Sequence, residues 1–327
     1  MEAKLDKQTK TTNNEGLKKI DLKYLLSEYG IILALLAIIT LISILTPNFM
    51  TFQNLMNLGR QVSINAILAI GMTFVILARG IDLSVGSILA FAGIVSASFA
   101  TGPDGNFFLA VVMGLGAGLL LGFINGFTVA KWNVAPFIVT LGMMAIARGF
   151  TFIYNDGRPV SGLSDSFLQI GGGYILGIPI PILITLIVFI VFSVILYNTK
   201  FGRHVYAIGG NEMAAKISGI KVNRTTIWVY SISGLLAGLA GLILTSRVSA
   251  GLPQAGVSYE LDAIAAVVIG GTSLMGGKGR LWGTLVGAMI IGVLNNGLDL
   301  LGVSSYWQQV IKGFIIILAV MIDRKRS

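Results

Sequence analysis

The sequence predicts an all-α integral membrane protein of about ten transmembrane helices, in two inverted-repeat halves, with both termini cytoplasmic. Three observations carry the expectation. Of 327 residues 55% are hydrophobic and 11% charged, with a mean hydropathy of +0.85, where a soluble domain carries roughly 25% charged residues. Apolar runs recur at the length a helix needs to cross about 30 Å of hydrocarbon. The basic residues gather in alternate connections.

In order, residues 1–29 read as a polar, lysine-rich cytoplasmic tail ending in an interfacial lead, Asp21 to Tyr29. No apolar core followed by a small-residue cleavage site marks a signal peptide. Residues 30–327 form the membrane domain. Its spans are expected at 30–46, 62–79, 82–100, 107–130, 134–154, 177–198, 225–245, 261–276, 281–298 and 305–322. The boundary at Arg79–Asp82 is the least sharp, and 261–276 is short and glycine-rich enough to be broken or re-entrant.

Charge orients the bundle. With the N-terminus inside, ten spans return the C-terminus inside. The inner connections then hold the lysines of the tail, Arg79, Lys131, Lys200, Arg203, Lys216, Lys221, Arg224, Lys278, Arg280 and Arg324 to Arg326. The outer side keeps Arg60, Arg158 and Arg247. This is a strong positive-inside bias, and basic residues spread over every inner loop do not form a nucleic-acid surface. Arg148 and Lys312 lie within spans and are expected to snorkel to the interface.

The polar connection 199–224 contains a short helix with both ends written in. Asn211 suits an N-cap, Glu212 a first turn, and Gly219 a left-handed stop. Met213, Ala214, Ala215 and Ile217 give it a small apolar face. So short a helix is marginal alone, and it reads either as a solvated loop helix or as a docking knob.

The halves resemble each other. Gly122-Phe-Ile-Asn125-Gly126 parallels Gly292-Val-Leu-Asn295-Asn-Gly297, and Ile81-Asp82-Leu83 parallels Glu260-Leu261-Asp262. Each pair is five spans apart, so the repeat is inverted, as is typical of transporters. Glycines at four-residue spacing (Gly114, Gly118, Gly122, Gly126; Gly234, Gly238; Gly283, Gly287) let backbones approach where lipid removes the hydrophobic drive.

Chemistry is sparse. The sequence has no cysteine and one histidine, His204, which leaves neither a thiol nucleophile nor a histidine metal set. Thr272 to Gly279 only approximates a phosphate-binding loop, with Thr272 in place of its first glycine and Gly279 in place of the magnesium-binding hydroxyl. No metal site, cofactor or catalytic group is expected. None of the 14 carboxylates is expected at mid-membrane, whereas a proton-coupled carrier needs an ionisable relay there. The spans carry neutral polar groups instead, Asn65, Asn125, Asn295 and Asn296 among them. They read either as hydrogen bonds between helices or as a lining for an uncharged, hydroxylated solute.

Together, Gly80-Ile-Asp-Leu-Ser-Val-Gly86, Ala135-Pro-Phe137, Gly202-Arg203, Ala207-Ile-Gly-Gly-Asn-Glu212, Glu260-Leu-Asp-Ala-Ile-Ala-Ala266, Gly270-Gly-Thr-Ser-Leu274 and Leu294-Asn-Asn-Gly297 resemble the permease subunit of ribose-type ABC importers. The resemblance runs from about residue 30 to the end. One departure is Arg79, where that family usually has a second glycine before Asp82. The resemblance implies a multi-pass protein of the bacterial cytoplasmic membrane that moves a monosaccharide, ribose first, by alternating access. Its implied partners are a second copy of the chain, an ATP-binding subunit on the cytoplasmic face and an extracytoplasmic sugar-binding protein. It makes 199–224 the coupling loop, with Gly210, Asn211, Glu212, Ala214, Ala215 and Gly219 as the contact residues. Arg158 and Arg247 on the longer outer loops are then expected to meet the binding protein. The alternative is a stand-alone secondary sugar carrier.

Overall fold

The structure, a computed structural model, describes residues 22–102 and 105–326. Among these residues it is helical, with four strands of two residues each. The chain begins with α1 (Leu22–Leu45), α2 (Phe52–Leu77), α3 (Val85–Ala100), α4 (Phe107–Trp132) and α5 (Pro136–Ile153). A connection carrying β1 (Val160–Ser161), α6 (Asp165–Gly172), β2 (Tyr174–Ile175) and β3 (Ile178–Pro179) leads to α7 (Ile180–Asn198). Two short helices follow, α8 (Lys200–Gly210) and α9 (Glu212–Ile217), then α10 (Val222–Val248) and β4 (Ala250–Gly251). The chain closes with α11 (Tyr259–Ile269), α12 (Leu281–Leu300) and α13 (Ser305–Arg326).

Six helices, α2, α4, α5, α7, α10 and α12, are long and apolar enough to cross a membrane, and α3 and the Gly30–Leu45 part of α1 are shorter apolar helices. Three boundaries differ from expectation. The helix at the N-terminus starts at Leu22, so the lead expected before residue 30 is already helical; the tail up to residue 21 lies outside the described residues. α2 starts at Phe52, ten residues before the expected 62, because its polar first turns are held by tertiary contacts that hydropathy does not see. Asn54 and Asn296 exchange two amide hydrogen bonds of 2.9 Å, and Leu58 is buried. The expected span 261–276 is only the eleven-residue α11, about 17 Å long at 1.5 Å per residue. It stops at Gly270-Gly271, where Gly271 takes a left-handed φ of 84°, and the chain reaches α12 through an irregular loop.

α2 is the centre, buried at every residue from Ser63 to Leu77 and packed on α7, α10, α11 and α12. Phe74 stacks on Phe201 and meets Phe192 edge-on at 5.8 Å. Thr73 and Thr284 hydroxyls share a 2.8 Å hydrogen bond. The most extensive contact joins α4 to α10 through the glycines expected to pack. A Cβ on Gly118 would stand 2.9 Å from the Gly238 Cα, and one on Gly122 the same distance from the Gly234 Cα. Gly287 lies equally close to Ala266 of α11.

Connections are set locally. The Asn106 side chain caps α4 by accepting from the Leu109 N–H at 2.9 Å, Asn133 ends it in the left-handed region, and Pro136 opens α5. At the end opposite α8 and α9, β1 pairs with β4 and β2 with β3, both antiparallel.

Candidate functional site

The expected short helix forms with the expected caps. Asn211 Oδ1 accepts from the Ala214 N–H at 3.0 Å, and Gly219 is left-handed, with φ of 83°. Its faces differ from the sequence reading. Ala215 is buried inside this chain, and the Ile220 N–H donates to its carbonyl at 3.0 Å. Gly210, Asn211, Glu212, Ala214 and Gly219 are exposed. The exposed apolar groups are Met213 and Ile217, at 67% and 80%, one turn apart on one helix face. The signal that could have found them is that spacing: in a six-residue helix the face opposite a buried alanine carries the large side chains.

Behind the knob three segments meet without side chains between them. Gly209 and Gly210 of α8 lie against Gly277, whose own Cβ would come 2.8 Å from the Gly210 Cα. The Gly277 N–H donates to the Leu77 carbonyl at the end of α2, at 3.0 Å. Tyr206 Oη donates to the Gly279 carbonyl at 2.8 Å. Burial pushes that phenol up to about 12, so it stays protonated and a donor. Tyr197 Oη accepts from the Leu281 N–H at 2.7 Å. Arg79 has φ of 64°, a conformation that costs an L-residue roughly 1–2 kcal/mol and a glycine almost nothing.

Two carboxylates, Asp82 and Asp262, are buried among the helices. Asp82 is fully buried and accepts from the Ser84 N–H, the Ser84 hydroxyl and, at 2.9 Å, the Ser233 hydroxyl. Asn125 Nδ2 donates to Ser84 Oγ at 2.8 Å. Asn125 and Ser233 lie about 10 and 16 Å along α4 and α10 from the ends nearest α9, so the α2–α3 turn is recessed between helices. The sequence placed Asp82 at a span boundary because the turn is short. The second carboxylate, Asp262, accepts from Lys312 Nζ at 3.0 Å and from Asn295 Nδ2 at 3.4 Å. Lys312 therefore does not snorkel. Arg148 Nη1 donates to the carbonyls of Pro253 and Ala255 at 2.7 and 2.8 Å, in the connection from β4 to α11. For Lys312 a buried acceptor outcompetes the interface.

The four candidate lining amides separate. The Nδ2 groups of Asn125, Asn295 and Asn296 donate to Ser84, Asp262 and Asn54, tying them to neighbouring segments. Asn65 sits at the midpoint of α2, 3% exposed. On the far side Arg158 is exposed and Arg247 half-buried at the end of α10. Arg60, which reading from sequence left unassigned, lies 4.6 Å from the Tyr174 ring centroid and donates to the Gly172 carbonyl at 3.2 Å. Among the described residues no group of three acids or histidines could hold a metal ion.

The family described as the branched-chain amino acid transport system permease component matches residues 54–320. The chain is 52% identical to the ribose import permease protein of Bacillus subtilis strain 168, over 95% of this chain and 97% of that one. It is 54% identical to that of Haemophilus influenzae, over 89% and 91%, and 51% identical to that of Escherichia coli K12, over 97% and 100%. No solved structure matches it.

Proposed function

The chain belongs to the branched-chain amino acid transport system permease family, and from that premise we propose how it works as the transmembrane permease of an ABC importer of ribose. It is a multi-pass protein of the bacterial cytoplasmic membrane. The observation that carries the substrate is identity above half to ribose import permeases across nine tenths of the chain. With Asp82 and Asp262 buried in the bundle, a lack of interior acids no longer argues against a secondary carrier; membership of the family does.

The finer reading has α1–α5, α7 and α10–α13 crossing or entering the membrane, with α8 and α9 cytoplasmic. The two Asn–Asp clusters support an inverted repeat. Asn125 reaches Asp82 through Ser84, Asn295 reaches Asp262 directly, and the clusters lie toward opposite ends of the bundle. Met213 and Ile217 enter a pocket of the ATP-binding subunit, and Ala215 sets the angle of the knob. The sugar-binding protein docks on the opposite face, and the pathway runs beside Asn65 and a second copy of the chain. ATP-driven closure of the nucleotide-binding subunits moves the knob, and the pathway opens to one side at a time.

The test is ribose uptake and co-purification in cells expressing the permease with its ATPase and binding protein. Met213→Asp with Ile217→Asp leaves the permease in the membrane and abolishes both ATPase retention and uptake. Ribose uptake by the permease alone, without any ATPase, would overturn the reading.

A further inference from the structure

Arg79 is half of a structure that the transport reading does not use. Its Nε donates to the Met275 carbonyl at 2.9 Å, and its Nη2 to the Gly210 carbonyl at 3.3 Å. One side chain at the end of α2 thus holds the junction of α8 with α9 and the loop between α11 and α12. It does so from a left-handed backbone, φ of 64°, and a strained non-glycine position is retained where the surroundings hold it there. Arginine is suited to the task, because its planar fork spends less entropy per hydrogen bond than a lysine would.

The loop it holds is a stiff unit. The Ser273 N–H donates to the Lys278 carbonyl at 2.9 Å, the Gly276 N–H to the Ser273 carbonyl at 3.0 Å, and Gly276 and Gly277 are left-handed. Tyr206 and Leu77 hold its far side. At its tip Met275 is 66% exposed, five residues along the loop from the end of α11 at Gly270. We propose that Arg79 is a positioning residue that straps the Thr272–Gly279 loop to the docking knob, so that a push on the knob moves the α11–α12 loop and the α2–α3 turn together. The strap rests on the reading of α9 as the ATPase contact. It adds a second path, through the loop, into the half of the bundle that holds Asp262.

The position allows a clean substitution. Arg79→Gly removes both hydrogen bonds and also relieves the backbone, so loss of folding does not mask the result; Arg79→Ala removes the bonds and keeps the strain. Spin labels at Ser218→Cys and Met275→Cys in this cysteine-free chain report the separation of knob and loop. Arg79 is expected to give one narrow distance distribution in the permease alone and in the ATPase complex. With Arg79→Gly the distribution broadens, the ATPase co-purifies as before, and ribose taken up per ATP hydrolysed falls about fivefold, the low end of coupling between sites. A role in folding alone would lower the yield and leave uptake per ATP intact. A narrow distribution and an unchanged ratio in both variants would overturn the proposal. If the unsubstituted permease retains no ATPase, the transport reading fails instead, while the distance measurement on the permease alone still decides the strap.

Discussion

Replacing Gly122 by alanine separates backbone packing from helix preference in this bundle. A Cβ at 122 would stand 2.9 Å from the Gly234 Cα and 3.0 Å from its nitrogen, where ordinary contact begins at 3.4 Å. The neighbouring atoms are backbone, with the Tyr230 carbonyl oxygen nearer still, so no rotamer relieves the clash, and α4 and α10 must part by at least about 0.5 Å, the difference between 3.4 and 2.9 Å. The shift spreads along the seam, because Gly118 and Gly126 meet the same helix. Overpacking of this kind costs about 1–3 kcal/mol per site, and lipid supplies no hydrophobic drive to offset it. Gly116 is the internal control. It lies in the same helix, and a Cβ there meets nothing within 4 Å. Alanine at 116 gains helix preference, up to about 1 kcal/mol. The assay is unfolding of the purified permease in mixed micelles by titration with a denaturing detergent, followed by circular dichroism. Gly122→Ala should lower the apparent unfolding free energy and Gly116→Ala should leave it level or raise it. Equal midpoints for the two variants would refute the packing argument.

In the same titration Lys312→Met should cost about 3–5 kcal/mol, because it strands the buried Asp262 carboxylate, and Asp262→Asn added to it should recover most of the loss; two additive losses would mean that the pair is not coupled. Cysteines placed at Ser166 and Ser249 should react with an impermeant reagent from outside the cell and one at Ser218 should not, and the reverse pattern would invert the topology. Arg158→Glu should weaken stimulation of ATP hydrolysis by sugar-loaded binding protein and lower its association rate, since charge at an interface rim acts mainly on encounter. Unaltered stimulation would release Arg158 from that face. Asn211→Ala should weaken ATPase retention only partly, as loss of a cap costs about 1 kcal/mol of helix stability; full loss would mean that the amide itself touches the partner.

The sequence by itself determined what depends on composition and short-range chemistry. A helical membrane protein, the caps at Asn211 and Gly219, and the glycine seam follow from hydropathy, from side chains that bond their own backbone, and from four-residue spacing. None of these needs a partner distant in the chain. What only the tertiary structure decided is where polar groups spend their hydrogen bonds. Arg148 and Lys312 look alike in sequence, yet one holds a loop by its carbonyls and the other neutralises Asp262. Asn296 resembles a lining amide and is paired with Asn54, 242 residues away. Asp82 looked like a boundary residue and is recessed between α4 and α10, since depth depends on how far the neighbouring helices extend past a turn. Ala214 and Ala215 are the same residue type side by side, and only the packing of α9 turns one outward and buries the other. A buried polar group takes the partner that three dimensions bring within reach, and that choice leaves no local trace in the sequence.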